Sequence, residues 1–183
     1  MTAHQAAQRD NGPGVGPEGW FGAEDAAPDE PKTYLTFEMA SQTFVVDVRC
    51  VREILDLQPI SRLPNAPGDV LGVIDVRGEG IGVVALAERL GLSLGDAAGD
   101  GRIIVFEMGE AEDRTPIGVI AERVLSVVEI ADEDIERTPA TLTSWDSAAV
   151  VGVTRLGGAL AMVLELDVVF GIAAGNRDPF DFR

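Results

Sequence analysis

Few residues in this chain could carry covalent or acid–base chemistry. Its only histidine is His4, its only lysine is Lys32 and its only cysteine is Cys50. Everything from Thr33 onward therefore lacks the bases of Ser-His-Asp and Cys-His catalysis, the amine of a Schiff base and the lysine of a phosphate loop. Zinc and copper sites lose their nitrogen and sulfur donors, so carboxylate chemistry is the surviving enzyme class. The densest acidic run, "ADEDIERTP" (Ala131 to Pro139), lacks the glycine and spaced ligands of a calcium loop and reads as a solvated turn with Ile135 tucked behind it. A paired-carboxylate hydrolase would need two acids facing across a cleft, which spacing does not show. "RGEGIG" (Arg77 to Gly82) has the glycines of a phosphate loop, yet no helix follows and Glu79 would repel the phosphate. Those glycines suit a tight hairpin turn instead. Cys50, flanked by "VVDVR" and "VREIL", reads as a packed thiol. No catalytic residue, metal or cofactor is expected.

The charge balance narrows the partners. Fourteen Lys and Arg stand against 31 Asp and Glu, a formal charge of −17, which repels nucleic-acid phosphates and anionic lipid headgroups. No apolar run is long enough to span a bilayer, and the opening "MTAHQAAQRDNGPGVG" has no signal-like apolar stretch, so a cytoplasmic protein without membrane insertion is expected. Residues 1–32 read as a disordered acidic tail rich in Gly and Pro, with Trp20 and Phe21 either a short docking motif or incidental. Residues 33–171 read as the folded domain, and 172–183 as a short tail. A hydrophobic fraction of 46% suffices for a buried core in that domain.

From Thr33 the chain breaks into short Val- and Ile-rich segments separated by Gly, Pro and acidic turns, the pattern of strands. They are placed at Tyr34 to Met39, Phe44 to Arg49, Gly72 to Val76, Ile81 to Leu86, Arg102 to Met108, Ile117 to Glu122, Val124 to Ile130, Ala149 to Arg155 and Leu160 to Leu164. Helical pieces are expected only at Cys50 to Leu55, Ala85 to Leu90 and Leu166 to Phe170. Spacings too short for crossover helices favour small antiparallel barrels over a parallel sheet. An internal echo supports two of them. Sliding the chain by 80 positions aligns Gly72 with Gly152, Val73 with Val153, Gly78 with Gly158, Val83 with Val163, Leu86 with Leu166 and Gly91 with Gly171. A weaker echo at 73 aligns Phe44, Val46, Val51 and Ile54 with Ile117, Val119, Val124 and Val127. The expected fold is all-β, two five-stranded antiparallel barrels sharing a core.

Between the echoes lies "RLPNAPGDVLGVIDVRG" (Arg62 to Gly78). Two prolines keep Leu63 and Ala66 out of the helical region and make a stiff connector. It feeds a strand whose Val73, Asp75 and Arg77 share one face, Ile74 and Val76 the other. Asp75 and Arg77 could pair there, as a surface ion pair worth under about 1 kcal/mol.

These segments carry a resemblance. "YLTFEMASQTFVVDVRCVREIL", "ISRLPNAPGDVLGVIDVRG", "GVVALAERLGL", "IGVIAERVLSVVEI" and "GVTRLGGALAMVLELDVVFG", in this order and spacing, resemble the CheW family of bacterial chemotaxis coupling proteins over about Thr33 to Gly171. The resemblance implies two SH3-like barrels and a non-catalytic adaptor joining chemoreceptor signalling tips to the regulatory domain of the histidine kinase CheA. It implies partner-binding roles for Val51, Glu53, Ile54, Gly72, Asp75, Arg77 and Gly78, with Val51 and Arg77 toward the receptor. Exposed Arg77 would offer a forked donor, and Val51 with Ile54 an apolar centre. Read without the resemblance, Val51 and Ile54 are core residues on a helical turn, Gly72 a turn glycine and Glu53 a solvated charge. Two departures from the family pattern stand in "GIGVVALAER": Gly82 where a proline is usual, and Ala85 where an Asp is usual. A divergent scaffold for another polar or pilus-type assembly is the alternative.

Overall fold

The computed structural model describes residues 30–93, 101–109, 114–137 and 149–171. The expectations for residues 1–29 of the N-terminal tail, including Trp20 and Phe21, and for the C-terminal tail lie outside the described residues, while Lys32 already opens the first strand.

Among the described residues ten strands form two five-stranded sheets, with short turns of helix at α1 (Leu86–Arg89) and α2 (Leu166–Val169). One sheet, barrel A, holds β1 (Lys32–Met39), β2 (Gln42–Asp47), β8 (Arg123–Ile130), β9 (Val150–Leu156) and β10 (Ala159–Leu164) in the order β8-β1-β2-β10-β9. The other, barrel B, holds β3 (Val51–Asp56), β4 (Val70–Val76), β5 (Glu79–Val84), β6 (Arg102–Met108) and β7 (Thr115–Ala121) in the order β3-β6-β7-β5-β4. Within each barrel the pairs are antiparallel except one: β10 with β2, and β5 with β7, run parallel.

The barrels are not successive halves of the chain. Barrel B is one continuous run, whereas barrel A takes its strands from both sides of that run. The echo at 73 is the place where the chain leaves one barrel for the other, β2 to β3 and β7 to β8. The echo at 80 is the hairpin and helical turn that end each barrel. Its symmetry reaches the backbone: Ala85 donates to Asp69 O at 2.7 Å and Glu165 to Ala149 O at 2.9 Å.

Strand alternation builds three cores from one pattern. In β6, Ile104, Phe106 and Met108 face the other barrel, while Ile103 and Val105 fill barrel B with Ile74, Ile81 and Val83. In β1, Leu35, Phe37 and Met39 face barrel B, while Tyr34 packs inside barrel A with Val45, Ala161 and Val163. Strands buried on both faces read as continuous apolar runs, which explains "RIIVFEM". Phe37 anchors the shared core, with its ring 5.9 Å from Phe44 and 6.5 Å from Phe106.

One expected element is corrected. Cys50 to Leu55 is not helical: Val48–Cys50 is a single 3-10 turn and Val51–Asp56 is strand β3. A bulge against Phe106 and Val105 falls between Val51 and Glu53, and it places two residues where the partner strand has one. Cys50 is half-buried against the shared core, and burial pushes its thiol above the ordinary range. At the two departures, Gly82 pairs with Val73 and Ile117 inside the sheet, and Ala85 is fully buried with its backbone N–H satisfied by Asp69. Among the described residues no helix is long and apolar enough to cross a membrane.

Candidate functional site

The tip of the β4–β5 hairpin is a two-residue turn, Val76 pairing with Glu79 around Arg77 and Gly78. Both turn residues have positive φ, +55° and +87°, as this turn type requires for its twist to match the strands. Glycine takes that conformation without strain, and an arginine in it costs about 1 kcal/mol. Asp75 braces the turn by accepting a hydrogen bond from the Gly78 N–H at 3.2 Å.

The Arg77 side chain is 80% exposed and donates from Nη2 to Glu53 Oε2 at 2.9 Å. Its partner is therefore Glu53, 24 positions away, and not Asp75 as the shared face suggested. Glu53 is 15% exposed, so β3 holds the base of a salt bridge whose guanidinium stays in water. Beside it Arg52 donates to Glu79 Oε2 at 2.7 Å and lies 3.7 Å from Glu53 and 3.9 Å from Glu107. Glu107 in turn is met by Arg114 at 3.3 Å. The Arg52 hydrogen bond holds the Glu79 carboxyl below the usual carboxylate range.

The structure thus brings together Glu53, Asp75, Arg77 and Gly78. Ile54 is 41% exposed on β3, and the connector after β3 adds Leu57 at 40% and Leu63 at 37%. Val51 is half-buried and packs against the shared core, between the two roles weighed for it. Gly72 is buried and acts from beneath. Its φ is +143°, and a Cβ there would lie 2.3 Å from Ser61 O. Ser61 and Val73 exchange backbone hydrogen bonds at 2.8 Å in each direction, so Gly72 lets the connector cross tightly over β4. Arg52, Glu79, Glu107 and Arg114 were not singled out from the sequence. The alternation of β3 with β6 points to Arg52 and Glu107, but the bulge conceals it; Glu79 and Arg114 lie on other segments.

Glu53, Glu79 and Glu107 are each engaged by an arginine. A pattern of alternating charge beside exposed aliphatic side chains on a double barrel is the kind of surface through which a scaffold module can dock.

The particular family follows from comparison. The CheW-like domain matches residues 33–173, and the chain belongs to that family. It is 31% identical over 136 residues to chemotaxis protein CheW of Rhizobium meliloti, covering 74% of this chain and 85% of that protein. With chemotaxis protein CheW of Treponema pallidum it shares 28% over 146 residues, 79% and 85% of the two chains. The crystal structure of the scaffolding protein CheW from Thermoanaerobacter tengcongensis superposes with a TM-score of 0.68 at 28% identity, covering 76% of this chain and 88% of that one. That match fits the two SH3-like barrels described above.

Proposed function

We propose that this protein is a chemotaxis adaptor in the cytoplasm, recruited to membrane-associated receptor arrays, where it couples chemoreceptor signalling tips to the regulatory domain of CheA without catalysing a reaction. The observation that carries this reading is Arg77, held at positive φ on a hairpin tip, 80% exposed and aimed by Glu53. A guanidinium presented in this way donates to a carboxylate, amide or backbone carbonyl of a partner. Ile54 on β3 supplies apolar contact area for a barrel-to-barrel interface.

Calorimetric titration of the full chain with an isolated CheA regulatory domain, and separately with a receptor signalling-tip peptide, tests the assignment. Binding to each is expected at tens of micromolar or tighter, roughly −6 kcal/mol. Arg77→Ala is expected to weaken the receptor arm and to spare the kinase arm. Absence of both interactions would overturn the adaptor reading and favour a scaffold for another polar or pilus-type assembly.

A further inference from the structure

Barrel A carries a recess of about 360 Å³ between the 3-10 turn Asp132–Asp134 and the β9–β10 hairpin. Its rim holds Glu129, Glu133, Asp134 and Glu136 against one cation, Arg155. Glu136 is pinned to β9 by paired backbone hydrogen bonds with Val153, both 2.8 Å. Leu156 and Leu160 form an apolar wall, Leu160 with 56% of its surface exposed. Thr154 also lines the recess. It is 3% exposed, and its hydroxyl has no hydrogen-bond partner among the described residues. A buried hydroxyl without a partner is uncommon and unfavourable.

Neither the acids of the crossing segment nor the hydroxyl is demanded by the fold, because barrel B does without both. Eighty positions before Thr154 stands Ile74, which packs in the core of barrel B. The segment that crosses β4 in barrel B, residues 57–62, contains no carboxylate, whereas the segment that crosses β9 contains Asp132, Glu133, Asp134 and Glu136. Where the same architecture accepts aliphatic and neutral residues, barrel A has placed acceptors around an open volume.

We propose that this recess binds an arginine side chain of a partner protein. The guanidinium fork matches several acceptors at once, with carboxylates at the rim and the Thr154 oxygen within. The aliphatic stem of an arginine covers apolar surface such as that of Leu156 and Leu160. The volume lies within the range of a single-ligand pocket. Arg155 bounds one side and disfavours a second cation beside the first. The site lies on the opposite barrel from the Arg77 hairpin and does not depend on the adaptor reading.

The test is titration of the full chain with the peptide Ac-Ala-Leu-Arg-Leu-Ala-NH₂, followed by ¹H–¹⁵N correlation spectra, with citrulline replacing arginine as the neutral isostere. Saturable shifts are expected at residues 129–136 and 153–156, with the citrulline peptide at least about tenfold weaker. Glu133→Gln with Glu136→Gln should abolish the shifts while the remaining resonances stay in place. Thr154→Val, which restores an aliphatic, should weaken binding about three- to tenfold while raising the thermal midpoint. Equal binding of the citrulline peptide, shifts scattered over the whole acidic surface, or no saturable shift at millimolar peptide would each overturn the proposal. Spermidine saturating the same resonances at lower concentration would overturn it in favour of a free polyamine.

Discussion

The two hairpin tips that end the barrels share a turn and differ in one residue. In barrel A the turn is Gly157 and Gly158, at φ +57° and +90°; in barrel B it is Arg77 and Gly78, at +55° and +87°. The counterpart of Glu53, 73 positions on, is Ser126, whose hydroxyl and backbone bond the Thr36 side chain within the β1–β8 pair. Barrel A therefore has the relaxed version of the turn and no carboxylate to aim a cation. The comparison separates what the backbone needs, a residue tolerant of positive φ, from what a surface needs, an arginine held there against that preference. Strain kept where the neighbouring barrel avoids it points to function.

The same pairing of equivalents supplies experiments. Gly72 and Gly152 occupy matching positions, but a Cβ at Gly72 would sit 2.3 Å from a backbone oxygen in a positive-φ conformation, against 2.7 Å from the Ile135 side chain and 2.8 Å from Glu136 O at Gly152. Gly72→Ala is expected to cost about 3 kcal/mol or more and Gly152→Ala about 2, measured by urea unfolding. Equal losses would show that the two crossings are held alike. Arg77→Gly converts the tip to the barrel A sequence. Stability should change by less than about 1 kcal/mol, as relief of strain offsets the lost ion pair, while affinity for a receptor tip falls about tenfold. A loss of stability without loss of binding would make Arg77 structural. The reverse graft, Gly157→Arg, should cost about 1 kcal/mol and create no binding, since no partner waits at Ser126.

The smallest effect separates the barrels by pH. In barrel A the Arg49 hydrogen bond holds the Asp47 carboxyl low, and in barrel B Arg52 does the same for Glu79. Both folded values lie below the unfolded ones. Each contribution is thus complete above about pH 5 and disappears as pH falls through the folded value. Arg49→Ala and Arg52→Ala should each make the acid loss of stability shallower below about pH 4, read from unfolding midpoints against pH. Exposure of both pairs keeps the change small.

Much of this architecture is written locally. Alternating or doubly apolar strands, glycine-marked turns and the 80-residue echo carry the barrel elements and the tip, because side-chain period and positive-φ turns are properties of short segments. The failure at Cys50 to Leu55 has a local cause as well. The bulge at Arg52 breaks the period of two and leaves Val51 and Ile54 three apart, a helical spacing. By itself the sequence determined the composition of the strands, the exclusion of histidine- and lysine-dependent catalysis from residue 33 onward, and Arg77 as the residue to watch. Only the tertiary structure decided that barrel A is assembled from both sides of barrel B, that Arg77 answers to Glu53 and not to Asp75, and that four carboxylates line one recess with a buried threonine whose hydroxyl has no hydrogen-bond partner among the described residues. Those are contacts between segments far apart in the chain, and strand order and register, which no local pattern encodes, bring them together.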